Sequence, residues 1–249
     1  MNRVKDLLRA GEVVVGTTAG VGSEVRFLAN SGFDFLLFDT QHSPDELKQL
    51  GAPLAAMRRR EAIPIVRVGD LRPDQICYAL DAGAKGVIVP MVNTKAQMLD
   101  MIKWCKYPFE GERSSAGVRG EWGEYDSYRD YMDAVNEQLL IIPMIETVEA
   151  MDNLTDILSV PGIDVLLIGP SDLSINLDVP LDYENPKYHD ALDTIAAACK
   201  AADVVPGVFF VPPGIAPAQL IEKGYRFFTL PWAGWASDGI KTGIAQVKS

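Results

Sequence analysis

Short, uninterrupted apolar runs recur along the chain, separated by stretches whose apolar residues fall at helical spacing. Continuous runs, as opposed to strict alternation, mark strands buried on both faces. Leu139–Ile145 and Asp164–Ile168 are two such runs, with an amphipathic helix expected between them over Val148–Leu158 from the spacing of Met151, Leu154, Ile157 and Leu158. The same rhythm predicts strands at Val13–Thr18, Phe35–Phe38, Ile63–Val68, Gly86–Val89, Val204–Val211 and Phe227–Leu230. Helix signals fill the gaps. Ser23 is expected to cap a helix through Val25, Phe27 and Leu28, Ser43–Pro44–Asp45–Glu46 opens another with acids in its first turn, and a third runs from Thr94 to about Lys106. Eight strand–helix units in 249 residues have the size and rhythm of an α/β fold of the (β/α)8 TIM-barrel type, as one domain over residues 1–249. A doubly wound open sheet ranks second, because no glycine-rich dinucleotide turn follows the first strand. Two insertions break the rhythm, Tyr107–Gln138 (with Trp122, Tyr125, Tyr128 and Tyr131) and Leu173–Pro186. Both are expected to leave from the side where barrel active sites lie and so to be able to cover the site.

Composition narrows the partners. Acidic residues outnumber basic ones 34 to 23, and the net charge of −11 argues against nucleic acid or an anionic membrane as the main partner. No apolar run approaches the length of a membrane span, and the start, MNRVKDLLRAGEVV, holds no apolar core of signal-peptide length, so a soluble, cytoplasmic protein is expected. Cys77, Cys105 and Cys199 are odd in number and lie in predicted helices, which suits free thiols in a reducing compartment. They show no nucleophile pattern, and Gly111, Gly117, Gly120 and Gly123 form no phosphate-cradling motif.

The chemistry gathers at strand exits. Glu146 follows the fifth strand and Asp172 the sixth, and parallel strands joined by one crossover are usually neighbours, so the two carboxylates should stand side by side. They repel unless something positive lies between them, and a hard divalent cation such as Mg²⁺ or Mn²⁺ fits a site of one or two carboxylates completed by waters and substrate oxygens. Helix caps or structural salt bridges are the plainer alternative. Arg67 ends the third strand and needs an anion, either a neighbouring acid or a carboxylate or phosphate ligand. His42 stands three residues beyond Asp39 after the second strand, a spacing at which the acid can orient the ring as a base. His189, inside a predicted surface helix, reads as structural. Metal, arginine and histidine together suit a 2-oxo acid that chelates the cation while a carbon–carbon bond breaks or a proton leaves the adjacent carbon.

These residues lie in segments that resemble the HpcH/HpaI family of metal-dependent pyruvate aldolases: DFLLFDTQHSP (Asp34–Pro44), PIVRVGD (Pro64–Asp70), DAGAKGVIVPMVNT (Asp81–Thr94), YPFEGERS (Tyr107–Ser114), IETVEAMDNL (Ile145–Leu154) and GIDVLLIGPSDLS (Gly162–Ser174). The resemblance implies a (β/α)8 barrel and a class II aldolase that reversibly splits a 4-hydroxy-2-oxo acid into pyruvate, or a related 2-oxo acid, and an aldehyde. It assigns metal binding (Mg²⁺, Mn²⁺ or Co²⁺) to Glu146 and Asp172, and acid/base work to His42 with Asp39 beside it. Arg67 falls on the substrate carboxylate and enolate oxygen, and the backbone around Ser171 and Asp172 on the 2-oxo acid. It further implies a homo-hexamer built as a trimer of dimers that exchange a terminal helix, with Asp81 reaching a neighbour's site. Oxaloacetate decarboxylation by the same machinery and a non-catalytic barrel that binds a 2-oxo acid are the alternatives. The chain departs from the family pattern at Gln41–His42–Ser43, where Glu-His-Gly or Glu-His-Ala is common. It departs again at Met144, where many members carry glutamine, and at Leu230–Gly239 with its two tryptophans.

Overall fold

The apolar runs fold as eight parallel strands, β1 (Val14–Ala19), β2 (Phe35–Asp39), β3 (Ile63–Arg67), β4 (Gly86–Val89), β5 (Leu140–Ile145), β6 (Val165–Ile168), β7 (Val205–Val208) and β8 (Phe227–Thr229). Each pairs with the next in sequence, and β8 returns to β1 to close the barrel. The computed structural model describes residues 2–57, 61–117 and 122–248, without the side chains of 44–46. Around the barrel lie α1 (Arg3–Arg9), α2 (Val25–Leu28), a 3₁₀ turn at Pro44–Gln49, α3 (Gly51–Ala56), α4 (Pro73–Ala82), α5 (Lys95–Cys105) and α6 (Tyr128–Gln138). They are followed by α7 (Val148–Asp152), α8 (Leu154–Leu158), α9 (Pro170–Asn176), α10 (Pro186–Ala201), α11 (Pro217–Lys223) and α12 (Trp232–Lys248).

Side chains alternate along each strand, and both faces are covered, which is why the apolar runs are continuous. Leu37, Ile65, Ile88, Ile142, Met144 and Leu167 point inward and form a cluster inside the barrel, whereas Phe38, Val66, Val87, Ile145 and Ile168 pack against the helices. Phe35 and Phe227 stack in the interior with ring centroids 4.3 Å apart. Glycine at position 16 makes room for that stack, since a Cβ there would lie 2.3 Å from the Phe35 ring.

Helix α1 seals the end where the strands begin. Val4 and Leu8 enter the interior cluster, and the buried Asn2 side chain donates to Lys85 O (2.9 Å) and Gln138 O (2.8 Å). Lys5 Nζ donates to Leu139 O and pairs with Asp164, 3.0 Å each. Burial pushes the Asp164 carboxyl up even against the Lys5 charge. With that end plugged, the strand exits form the mouth.

Several local expectations change. Ser23 does not cap α2; its Oγ accepts the Gly20 N–H (2.9 Å) to close the preceding turn, and the helix starts two residues later. The helix expected over Val148–Leu158 is two, broken at Asn153, whose Nδ2 donates to Asn93 O (2.9 Å). The segment opened by Ser43 begins as a 3₁₀ turn, and the Asp45 and Glu46 side chains expected in its first turn lie outside the described residues. β7 stops at Val208, short of the expected Val211, with the Phe209 N–H still bonded to Ile168 O (2.9 Å). Thr94 caps α5 as expected, in a reciprocal box with Gln97.

The larger correction concerns Tyr107–Gln138. A barrel helix returns the chain to the plugged end, so a segment that follows α5 starts opposite the mouth. Arg113 pairs with Asp81 at the end of α4 (3.0 Å), and Trp122 lies 5.2 Å from the Lys85 ammonium just ahead of β4. Helix α6 reaches α1 through Glu137 and Arg9. The described part of this insertion therefore packs away from the mouth and does not cover it; Gly120 lies outside the described residues. Leu173–Pro186 does stay at the mouth side, where Tyr183 OH is 3.4 Å from Ser171 Oγ.

None of the three cysteines is in a disulfide, and burial pushes the Cys105 and Cys199 thiols up to about 12, which leaves them inert at neutral pH. Among the described residues no helix is long and apolar enough to cross a membrane.

Candidate active site at the barrel mouth

Parallel register places Asp39 and Arg67 opposite one another at the ends of β2 and β3, both turned inward. Arg67 Nε donates to Asp39 Oδ1 (2.9 Å) and Nη2 to Oδ2 (2.5 Å), a forked pair that Arg alone can make. Burial works to raise the Asp39 carboxyl. The guanidinium, the Gln41 N–H (3.0 Å) and the charge of His42 outweigh it and hold the group below its ordinary value. Among the described residues, the second edge of the guanidinium meets only Met144 Sδ, 3.9 Å from Nη1. Of the two anions expected for Arg67, the neighbouring acid is present as Asp39 on one edge; the other edge makes no ion pair among the described residues.

Glu146 sits one position beyond the Ile145–Ile168 pairing, opposite Gly169. Its carboxylate occupies the space where a Cβ at 169 would lie, 2.2 Å from Oε1. Glu146 is 1% exposed, and its Oε2 accepts the N–H of Met91 (2.9 Å), which φ = 54° aims at it from the exit of β4. Burial raises the Glu146 carboxyl, Asp172 raises it further, and the Met91 N–H and Arg67 do not cancel the effect. Neither acid is a helix cap: Thr147 caps α7 and Gly169 holds the N-cap position of α9, with Asp172 inside its first turn. The result is a buried carboxylate next to a second one, with no cation hydrogen-bonded to it among the described residues. That is the environment a divalent ion relieves. Among the described residues no third Asp, Glu, His or Cys joins them. Two carboxylates with open positions suit a hard divalent cation that keeps waters and takes substrate oxygens.

His42 is exposed at the rim and near enough to Asp39 to depress its carboxyl, but the Asp39 oxygens are committed to Arg67 and Gln41. Ser171 and Asp172 are half-buried in the first turn of α9. The structure does not bring Asp81 into its own chain's mouth; it lies at the far end of α4, paired with Arg113. Sequence reasoning missed three contributors: the Met91 N–H, the glycine at 169, and Phe209, whose ring centroid lies 4.1 Å from the Arg67 guanidinium carbon. A glycine directly after an apolar strand was the one visible signal among them.

A family model described as HpcH/HpaI aldolase/citrate lyase matches residues 23–234. The chain belongs to this family. A 2-keto-3-deoxy-L-rhamnonate aldolase of Escherichia coli (strain K12) is 33% identical to this HpcH/HpaI chain over all of its length and 94% of the relative's. A solved structure of an HpcH/HpaI aldolase/citrate lyase family protein from Burkholderia cenocepacia J2315 superposes with a TM-score of 0.87 at 29% identity, covering 100% of both chains. The citrate synthase SbnG follows with a TM-score of 0.82 and 26% identity over 98% of this chain and 97% of its own. The HpcH/HpaI chain is an enzyme of the class II aldolase kind, a carbon–carbon lyase on a (β/α)8 barrel, and its family supports a divalent metal cofactor in general.

Proposed function

We propose that this enzyme reversibly cleaves a 4-hydroxy-2-oxo acid to pyruvate, or a related 2-oxo acid, and an aldehyde, with Mg²⁺, Mn²⁺ or Co²⁺ as cofactor. The observation that carries the reading is the buried carboxylate of Glu146, raised by burial and by Asp172 and lying within electrostatic reach of Arg67. A 2-keto-3-deoxy sugar acid, the substrate named for the rhamnonate relative, is itself a 4-hydroxy-2-oxo acid. Glu146 and Asp172 would hold the cation, which when bound supplies a Lewis acid for the 2-oxo group.

The protein's own groups do the rest. Asp39 locks one edge of Arg67, and the other edge takes the substrate carboxylate. The first turn of α9 at Ser171 and Asp172 offers backbone N–H groups to the same acid. His42, directly or through one water, takes the proton of the 4-hydroxyl. The O–H pair becomes the aldehyde carbonyl, the bond between carbons 3 and 4 breaks, its electrons pass to the 2-oxo oxygen, and carbon 3 is then protonated to give the methyl group of pyruvate.

In this reading the whole chain is one barrel domain of a soluble, cytoplasmic enzyme. It assembles as a homo-hexamer, a trimer of dimers that exchange α12 and bring Asp81 to a neighbour's site. The stripe on α12 supports the exchange, since Ile240 (63% exposed), Ile244 and Val247 (86%) lie on one face of a helix with no buried residue.

The test is pyruvate release from 2-keto-3-deoxy sugar acids with each metal in turn. EDTA and Glu146→Ala should each abolish it. His42→Ala should lower cleavage by about 10²- to 10⁴-fold while sparing oxaloacetate decarboxylation, which needs no proton taken from a hydroxyl. Cleavage that survives both EDTA and Glu146→Ala sinks the reading.

A further inference from the structure

Arg67 is held on more sides than its partner Asp39 accounts for. The fork to Asp39 fixes one edge within the guanidinium plane but lets the plane tilt about the line of the two hydrogen bonds. Tilting is opposed by Phe209. Its N–H continues the ladder to Ile168 O (2.9 Å), which turns the side chain inward, next to the outward Val208. The ring packs on the interior cluster and stays half-buried at the mouth, 4.1 Å below or above the guanidinium carbon. That is well inside the distance at which a ring face attracts a cation, and the contact strengthens where water is excluded. Met144 Sδ lies 3.9 Å from Nη1 on the remaining edge, and a thioether accepts a hydrogen bond so weakly that a carboxylate can take its place.

We propose that Phe209 is a positioning residue. Its ring face sets the plane of Arg67, so that the edge left by Asp39 presents its N–H groups to the carboxylate of a 2-oxo acid. The inference rests on the function proposed above. It predicts that the ring's electron-rich face, and not its bulk alone, governs 2-oxo-acid binding.

Pyruvate binding is measured by calorimetry with Mg²⁺ present, on the parent and on Phe209→Leu, Phe209→Tyr and a protein carrying pentafluorophenylalanine at 209. The fluorinated ring keeps the shape and reverses the charge on the face. Leucine and the fluorinated ring should each weaken binding about tenfold, and tyrosine should stay within about twofold. In parallel, the Nε–H resonance of Arg67, identified by its loss in Arg67→Lys, should move downfield in Phe209→Leu as ring-current shielding is lifted. A fluorinated ring that binds pyruvate as well as the parent does, or an Arg67 resonance unmoved in Phe209→Leu, overturns the inference and leaves the proposed function standing. A parent that neither binds pyruvate nor releases it from any 2-keto-3-deoxy acid removes the function and this role together.

Discussion

Glu146→Gln separates what the buried carboxylate does for metal from what it costs the fold. The substitution keeps the side-chain shape and an oxygen for the Met91 N–H, and removes only the charge. In the parent, a cation at about a hundredfold excess over its Kd adds about 2.7 kcal/mol to stability. For a chain of this size, at about 2–4 °C per kcal/mol, that is a Tm gain of about 5–11 °C. Glu146→Gln should gain less than about 2 °C under the same conditions. Without metal the order reverses. Folded Glu146 holds its proton more tightly than the unfolded chain does, because burial and Asp172 disfavour its charge. Its contribution therefore favours folding below the unfolded value of about 4.3 and is lost as pH rises through the folded value. In EDTA at about pH 7.5, Glu146→Gln should melt at or above the parent, and its advantage should shrink as pH falls and the parent carboxyl takes up its proton. Thermal melts in EDTA and in Mn²⁺ across this range decide the matter. A metal-free variant that melts several degrees below the parent at neutral pH, or a metal gain equal in both proteins, refutes the reasoning.

Asp39→Asn strips the anion from a guanidinium whose side chain is 6% exposed, and should cost about 3–5 kcal/mol in urea unfolding. Since Asp39 is held below its ordinary value, its contribution is present above about pH 3.9 and lost as pH falls through the folded value, so the parent should lose stability in acid more steeply than the variant; equal acid limbs would contradict this. Gly169→Ala sets a methyl group where the Glu146 carboxylate lies and should lower Mn²⁺ affinity by about 10- to 100-fold in calorimetry. An unchanged affinity with a lowered Tm would confine Gly169 to packing. Ile240→Asp with Ile244→Asp charges the exposed stripe of α12 and should reduce the mass measured by light scattering, and a mass unaltered from the parent would remove the helix from any assembly contact.

The eight strands were legible because a strand buried on both faces must be apolar throughout, and that signal is local. Gly86–Val89 coincides with β4, and the other seven shift by a residue or a few at their ends. Adjacent strands in a barrel are consecutive in sequence, so the nearness of Glu146 and Asp172 followed from order alone. Which groups then touch did not. Asp39 stands three residues from His42 and twenty-eight from Arg67, yet its oxygens go to Arg67, because register across β2 and β3 overrides separation along the chain. The direction of Tyr107–Gln138 also follows from order, since a segment after a barrel helix starts at the plugged end, and the expectation that it covers the mouth ran against that alternation. Met91, Gly169 and Phe209 acquire their parts through a backbone N–H, a missing side chain and a ring face. None of these has a signature until tertiary packing sets another residue against it. The sequence by itself determined the barrel and the residue types at its mouth; only the closed fold decided their partners, since those contacts join strands that share no local pattern.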